Sequence, residues 1–209
     1  MNLPSQWMEQ AVTAFAKLPG IGKKTALRLV LHLLKQRNED VQDFAASILK
    51  LKTDIYFCPN CNNISDHVNA LCAICNNGKR NHKIICVVES LRDLIAIENT
   101  NQFFGEYHII GGVISPMEGV GPENLYLPKL IEKANSGNFT ELIMALNPNI
   151  EGDTTIFYIT KKITNTQIKI TTIARGISFG GELEYTDELT LARSLATRRP
   201  FENYLHQNE

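Results

Sequence analysis

Long apolar runs are missing from this chain of 209 residues. None approaches the roughly 20 residues that a helix needs to cross a bilayer. Residues 1–16 also lack the basic start and unbroken apolar stretch of a secretory leader. Charge imbalance is missing too: 21 basic against 22 acidic residues leave a net charge of -1. That excludes a polyanion-coated or polycation-coated chain as a whole. No internal repeat and no low-complexity segment is visible, so solenoids and disordered tails have no support. Cysteine is scarce, at five residues. The chain is expected in the cytoplasm, where thiols stay reduced. What is present suits a soluble globular protein of one large or two small domains: 44% of residues are hydrophobic and 21% charged.

Four of the five cysteines fall into two tight pairs, Cys58-Pro-Asn-Cys61 and Cys72-Ala-Ile-Cys75. Two intervening residues let both sulfurs of a pair face one cation, and two pairs supply four thiolates. A structural zinc ion takes such a set in a tetrahedron, leaving no position for water or substrate. A redox dithiol is the weaker alternative. His67 lies in the loop but is surplus to a four-thiolate set. Cys86 stands in an apolar run and is expected in the core.

The neutral total hides a local asymmetry. Between Lys17 and Arg37 lie Lys17, Lys23, Lys24, Arg28, Lys35 and Arg37, and no acidic residue. Lys79, Arg80, His82 and Lys83 form a second basic group, while Glu182, Glu184, Asp187 and Glu188 gather acidity elsewhere. A locally basic face can bind a polyanion.

Apolar spacing predicts helices over 5–16, with Trp7, Ala11, Val12 and Phe15 on one side, and from Lys23 to about Arg37. A further helix, Val41 to Leu51, would turn Phe44, Ile48 and Leu51 inward. A metal loop spans 56–80. Ile84 to Val88 is a continuous apolar strand, suited to a sheet buried on both faces. Ser90 to Asp93 has capping-box spacing and opens a helix through Glu98. Strands are expected near 107–110, 141–146 and 168–173, with a helix near 153–163. This alternation predicts an α/β domain with a mainly parallel sheet.

Between the first two helices stands Leu18-Pro-Gly-Ile-Gly-Lys-Lys-Thr-Ala26. Gly20 and Gly22 allow positive φ and close approach of a ligand. The amides of Ile21 to Lys23 would point outward at a helix start, where the dipole attracts phosphate. Lys23, Lys24 and Arg28 add charge there. This is a helix-hairpin-helix pattern, which holds DNA by its backbone without reading sequence. The plain alternative is a corner with solvated lysines. A P-loop does not fit, because Lys17 and Lys24 occupy positions that need Gly and Ser or Thr.

Glu89 ends the first buried strand, where ligands of parallel sheets bind. Asn147-Pro-Asn149-Ile-Glu151-Gly-Asp153 follows a later strand. A glutamate with a later Asp-x-Asp would hold a divalent metal for phosphoryl transfer. Here Asn147 and Asn149 fill the Asp-x-Asp places, and Glu151 and Asp153 stand in a different slot. Glu89 could equally serve the dipole of the helix after it.

In this order, the stretches LPGIGKKTALRL (18–29), CPNC and CAIC (58–75), ICVVES (85–90), ISPMEGVGPENL (114–125), ALNPNIEGDTT (145–155) and ARGISFGGELEYTDELTLARSL (174–195) resemble the bacterial recombination mediator family RecR, from about Leu3 to Ala196. The resemblance implies a helix-hairpin-helix domain over 1–54, a zinc motif over 55–80, a Toprim domain over 81–175, and a Walker B-like segment with tail over 176–209. It places Gly20, Gly22, Lys23, Lys24 and Arg28 at DNA. It gives Cys58, Cys61, Cys72 and Cys75 one structural Zn²⁺ per chain. Glu89, Glu151 and Asp153 fall on an acidic patch for partners. It implies a non-enzymatic, ring-forming homo-oligomer, dimer or tetramer, that acts with RecO and RecF to load RecA on gapped DNA. The rival is a Mg²⁺-dependent Toprim nuclease, primase or topoisomerase. One departure is Ser178, where the family often has proline.

Overall fold

The computed structural model describes residues 3–178, 180–198 and 200; the end of the C-terminal tail, 201–209, lies outside the described residues. The chain divides into two compact units, Met1–Ile55 and Tyr56–Glu209.

The first unit holds helices α1 (Gln6–Phe15), α2 (Lys23–Leu33) and α3 (Asn38–Thr53). Its small core is Val12, Ala26 and Val30, with Phe15, Ile21 and Leu27 packed around them. The apolar spacing located α1 and α2, but α2 ends at Leu33 instead of running to about Arg37, and the spacing assigned too much of both helices to the interior. Trp7 is 78% exposed, and Leu31 and Leu34 also face solvent. α3 departs further: none of its residues is buried, and Phe44, Ile48 and Leu51, expected inward, are exposed. Spacing defines an apolar stripe but not what covers it. In this unit the α1–α2 pair closes its core without that stripe.

The second unit begins with the cysteine loop. Two-residue strands β1 (Tyr56–Phe57) and β2 (Ile64–Ser65) pair antiparallel around it. Asn62 takes φ 62° in the turn, a left-handed conformation that asparagine tolerates better than most residues.

The main sheet follows from β3 (Asn81–Val88), β4 (Gly105–Ile109), β5 (Glu141–Ala145) and β6 (Lys169–Thr172), in the order β4-β3-β5-β6, with all pairs parallel. The connecting helices are α4 (Leu91–Glu98), α5 (Leu127–Asn135) and α6 (Ile150–Lys162); α7 (Glu188–Ala196) follows the sheet. The expected parallel α/β fold is what forms. The apolar run of β3 is buried on both faces. Ile85 and Val87 join Leu142, Met144, Leu127, Leu130 and Ile159 on one side. Cys86 and Val88 join Leu94, Tyr107 and Ile109 on the other. α4 opens as its spacing predicts: the Asp93 carboxylate accepts from the Ser90 N–H at 2.9 Å and from its hydroxyl at 2.8 Å.

The loop of β1 and β2 lies along the outer side of β4. The Ile109 N–H donates to the Cys61 carbonyl at 2.9 Å. The Ile109 carbonyl accepts from Asn62 Nδ2 at 3.3 Å. Backbone groups that an end strand would leave to water are thus taken up by the cysteine loop.

Candidate metal centre and DNA-binding turn

Cys58, Cys61, Cys72 and Cys75 are buried, and their sulfurs all lie within 4.8 Å of one another. A tetrahedron with zinc–sulfur bonds of about 2.3 Å has sulfur–sulfur edges of about 3.8 Å. Cys61 Sγ and Cys72 Sγ are 3.6 Å apart, so this pair already stands at coordination spacing, with the other two sulfurs close by. Hydrogen bonds reach three of them: Asn63 N–H to Cys61 Sγ at 3.4 Å, Cys75 N–H to Cys72 Sγ at 3.5 Å, and Asn60 Nδ2 to Cys75 Sγ at 3.3 Å. Such donors favour thiolate over thiol. The thiols share protons among themselves: hydrogen bonds with Cys61 and Cys75 draw Cys72 down, while hydrogen bonds with Cys72 and Cys75 push Cys61 up. The donor set fits a soft, four-coordinate ion. His67 is exposed and outside the set. Cys86 is buried in the sheet outside this set, and that burial pushes its thiol up to about 12. Among the described residues, these four cysteines are the one group of three or more Cys, His, Asp and Glu with ligand atoms so close together.

The helix-hairpin turn has a tight, glycine-dependent bend. Gly20 has φ 76°, and a side chain there would meet open space, so backbone conformation is what asks for glycine. Gly22 is extended and caps α2 with no side-chain hydrogen bond. The Ile21 N–H donates to the Leu18 carbonyl at 3.1 Å. It is therefore not among the outward amides, as the sequence suggested, because the turn itself consumes it. The first intrahelical donor is Ala26, to the Gly22 carbonyl at 2.9 Å. The amides of Lys23, Lys24 and Thr25 lack helical partners, as at any helix start. Lys23, Lys24 and Arg28 are exposed, and no ion pair among the described residues involves them. Lys24 and Arg28, four apart, share a helix face.

Half of the second basic group is spent within the fold. Arg80 grips Glu98 through two hydrogen bonds, at 3.0 and 2.5 Å, and His82 Nδ1 lies 2.6 Å from Glu106 Oε1. Only Lys79 and Lys83 of that group stay clear of such pairs among the described residues.

At the carboxyl end of the sheet, Glu89 follows β3 and meets Asn147 after β5. The Asn147 N–H donates to Glu89 Oε1 at 2.6 Å, and its Nδ2 donates to Oε2 at 2.9 Å. Both oxygens of the glutamate are thus held by one asparagine. Asn149 caps α6, its Oδ1 accepting from the Gly152 N–H at 2.8 Å. Asp153 pairs with Arg175 at 3.0 and 2.5 Å. That guanidinium holds the Asp153 carboxyl below its usual range. Glu151 lies in the same first turn of α6, half-buried. Glu89, Glu151 and Asp153 share one end of the sheet without converging on a common point as a metal-ligating trio.

Residues 83–174, which hold this parallel sheet and Glu89, match the Toprim domain model. Residues 8–52 match the model described as RecR, helix-hairpin-helix, and residues 176–199 that described as RecR, C-terminal. The chain is 56% identical over 203 residues to a recombination protein RecR of Cytophaga hutchinsonii, covering 97% of this chain and 98% of that protein. It is 54% identical over 208 residues to the recombination protein RecR of Flavobacterium psychrophilum, covering 100% of both. The chain belongs to the RecR family of recombination proteins.

Proposed function

We propose that this chain is a DNA-binding recombination mediator in DNA repair, a clamp or adaptor without catalysis of its own. Working in the cytoplasm with RecO and RecF, it would promote RecA loading on gapped DNA. Its relatives' name, recombination protein RecR, supports the process. The observation that carries the non-enzymatic reading is the grip of Asn147 on both oxygens of Glu89. A Toprim enzyme needs those oxygens for Mg²⁺ and a carboxylate where Asn147 stands. Asp153, bound to Arg175, is no freer.

The proposed division is 1–54 for the hairpin domain, 55–80 for the metal motif, 81–175 for the Toprim domain and 176–209 for the C-terminal segment. Gly20 and Gly22 shape the DNA-contacting turn, and Lys23, Lys24 and Arg28 meet phosphates. The four cysteines hold one structural Zn²⁺, which supplies rigidity and no reaction. Glu89, Glu151 and Asp153 form the partner-facing patch. The exposed apolar residues of α2 and α3 support assembly into a dimer or tetrameric ring, which would add avidity to weak single contacts.

The test is DNA binding by purified full-length protein across a salt series with Mg²⁺ present. The wild type should bind, with affinity falling steeply as salt rises, and leave the DNA intact. The Lys23→Ala/Arg28→Ala double variant should bind more weakly, with a salt slope shallower by about 2 for two lost phosphate contacts. Equal binding by both proteins in low salt would remove this turn as the contact. Mg²⁺-dependent nicking that disappears in Glu89→Gln would overturn the adaptor reading.

A further inference from the structure

α5 lays two lysines against the cysteine loop. Its inner stripe is Leu127, Leu130 and Ala134, all buried in the core. Lys129 and Lys133, four apart, border that stripe. Lys129 Nζ donates to the carbonyl of Pro59, between the first two cysteines. Lys133 goes deeper: its side chain is 10% exposed, and its Nζ is buried with no hydrogen-bond partner.

An ammonium in such a place needs a reason, because burial disfavours the charged form. The nearest carboxylate is Glu106, whose Oε2 lies 3.8 Å away, too far for a hydrogen bond. Glu106 is also already served. Its Oε1 is 2.6 Å from His82 Nδ1, and its Oε2 accepts from Asn60 Nδ2 at 3.2 Å. The same Asn60 amide donates to Cys75 Sγ at 3.3 Å. Lys133, Glu106, Asn60 and Cys75 therefore form one continuous, partly buried group. Four thiolates around a divalent cation carry a net charge of about −2, and Glu106 adds another negative charge nearby. Burial pulls the Lys133 ammonium down, while Glu106 and the sulfurs of Cys75 and Cys61 pull it back up.

We propose that Lys133 is the counter-charge of the four-cysteine metal centre and that it raises the affinity of that centre for its divalent ion. The proposal rests on the zinc reading above. Loading a divalent ion displaces the remaining thiol protons and leaves a four-thiolate complex of net negative charge in the cavity. A fixed ammonium favours the loaded state over the empty one, so it acts on affinity and not only on folding.

The experiment is zinc competition against a chromogenic chelator, using the full-length chain. Replacing Lys133 alone leaves Glu106 buried without a cation, which can cost stability for reasons unrelated to metal. The comparison is therefore made in a Glu106→Gln background. There Lys133→Met should weaken zinc binding by about 10- to 100-fold, as loss of an outer partner of a metal site does. Lys133→Gln in the same background is the second variant, with the same expectation. Lys133→Arg should stay close to its parent. Circular dichroism of the loaded proteins checks that each is folded. Zinc affinities within twofold of the Glu106→Gln parent would overturn the proposal. A wild-type chain that holds no zinc would overturn the metal reading beneath it, which is a different result.

Discussion

His108 is 1% exposed in the middle of β4. Its Nε2–H donates to the Tyr126 carbonyl at 2.7 Å, and its buried Nδ1 has no partner. That arrangement accommodates a neutral ring and penalises a charged one. Burial lowers its pKa from 6.5 to about 4, the Tyr126 carbonyl works the other way, and the positive charges of Lys133 and Lys129 lower it further. The sign follows directly. Between about pH 6.5 and 4 the unfolded chain takes up a proton that the folded chain refuses, so stability falls as pH falls through that window. The loss should approach tenfold in the folding equilibrium per pH unit in mid-window. Denaturant titrations at several pH values check this. His108→Gln should flatten the slope relative to wild type, and parallel slopes would contradict the assignment. Residues of this kind were not legible in the sequence. A histidine in a strand shows its face by alternation, but its partner comes from Tyr126, which only the fold brings beside it. The same holds for the metal centre. The cysteines declared themselves by spacing, whereas Glu106 and Lys133 come from separate segments, and Asn60, inside the first pair, meets Glu106 only through the fold.

Among the elements, α6 shows how closely the sheet end is built. The first turn of this helix passes so near the β5 end that a Cβ on Gly152 would lie 2.1 Å from the Asn147 carbonyl. Backbone cannot yield as a flexible side chain can. Gly152→Ala should therefore cost about 1–3 kcal/mol, as overpacking does. It should also disturb the hydrogen bonds of Asn147 to Glu89. Thermal unfolding reads the first effect and amide chemical shifts at Asn147 the second; an unchanged melting temperature would refute the close packing. The start of α6 near Ile150, rather than the expected 153, follows from Asn149 serving as its cap. β3 was legible because burial on both faces leaves an unbroken apolar run. α5 was not singled out beforehand, although Leu127, Leu130 and Ala134 have helical spacing and Pro128 suits a first turn. α7 likewise has its cap in Asp187, which accepts from the Thr190 N–H at 2.9 Å. β1 and β2 are too short for any periodicity, and only the cysteine loop defines them.

At the scale of the whole molecule, the metal centre should govern the unit Tyr56–Glu209. Binding of structural zinc is worth on the order of 10 kcal/mol in small peptides. A chelator should accordingly lower the unfolding midpoint, and zinc should restore it. The earliest local sign should be faster hydrogen exchange at the Ile109 amide, whose acceptor is the Cys61 carbonyl. Protection at Ile109 that survives complete metal removal would show that the loop holds its place without an ion. That hydrogen bond has a consequence for solubility. While the loop is in place, a foreign strand finds no row of free donors and acceptors beside Ile109. Once the loop lets go, β4 at the end of the sheet offers unpaired backbone groups to another chain. Zinc starvation would then remove this protein from solution as well as from service, and light scattering of chelated samples should grow with protein concentration.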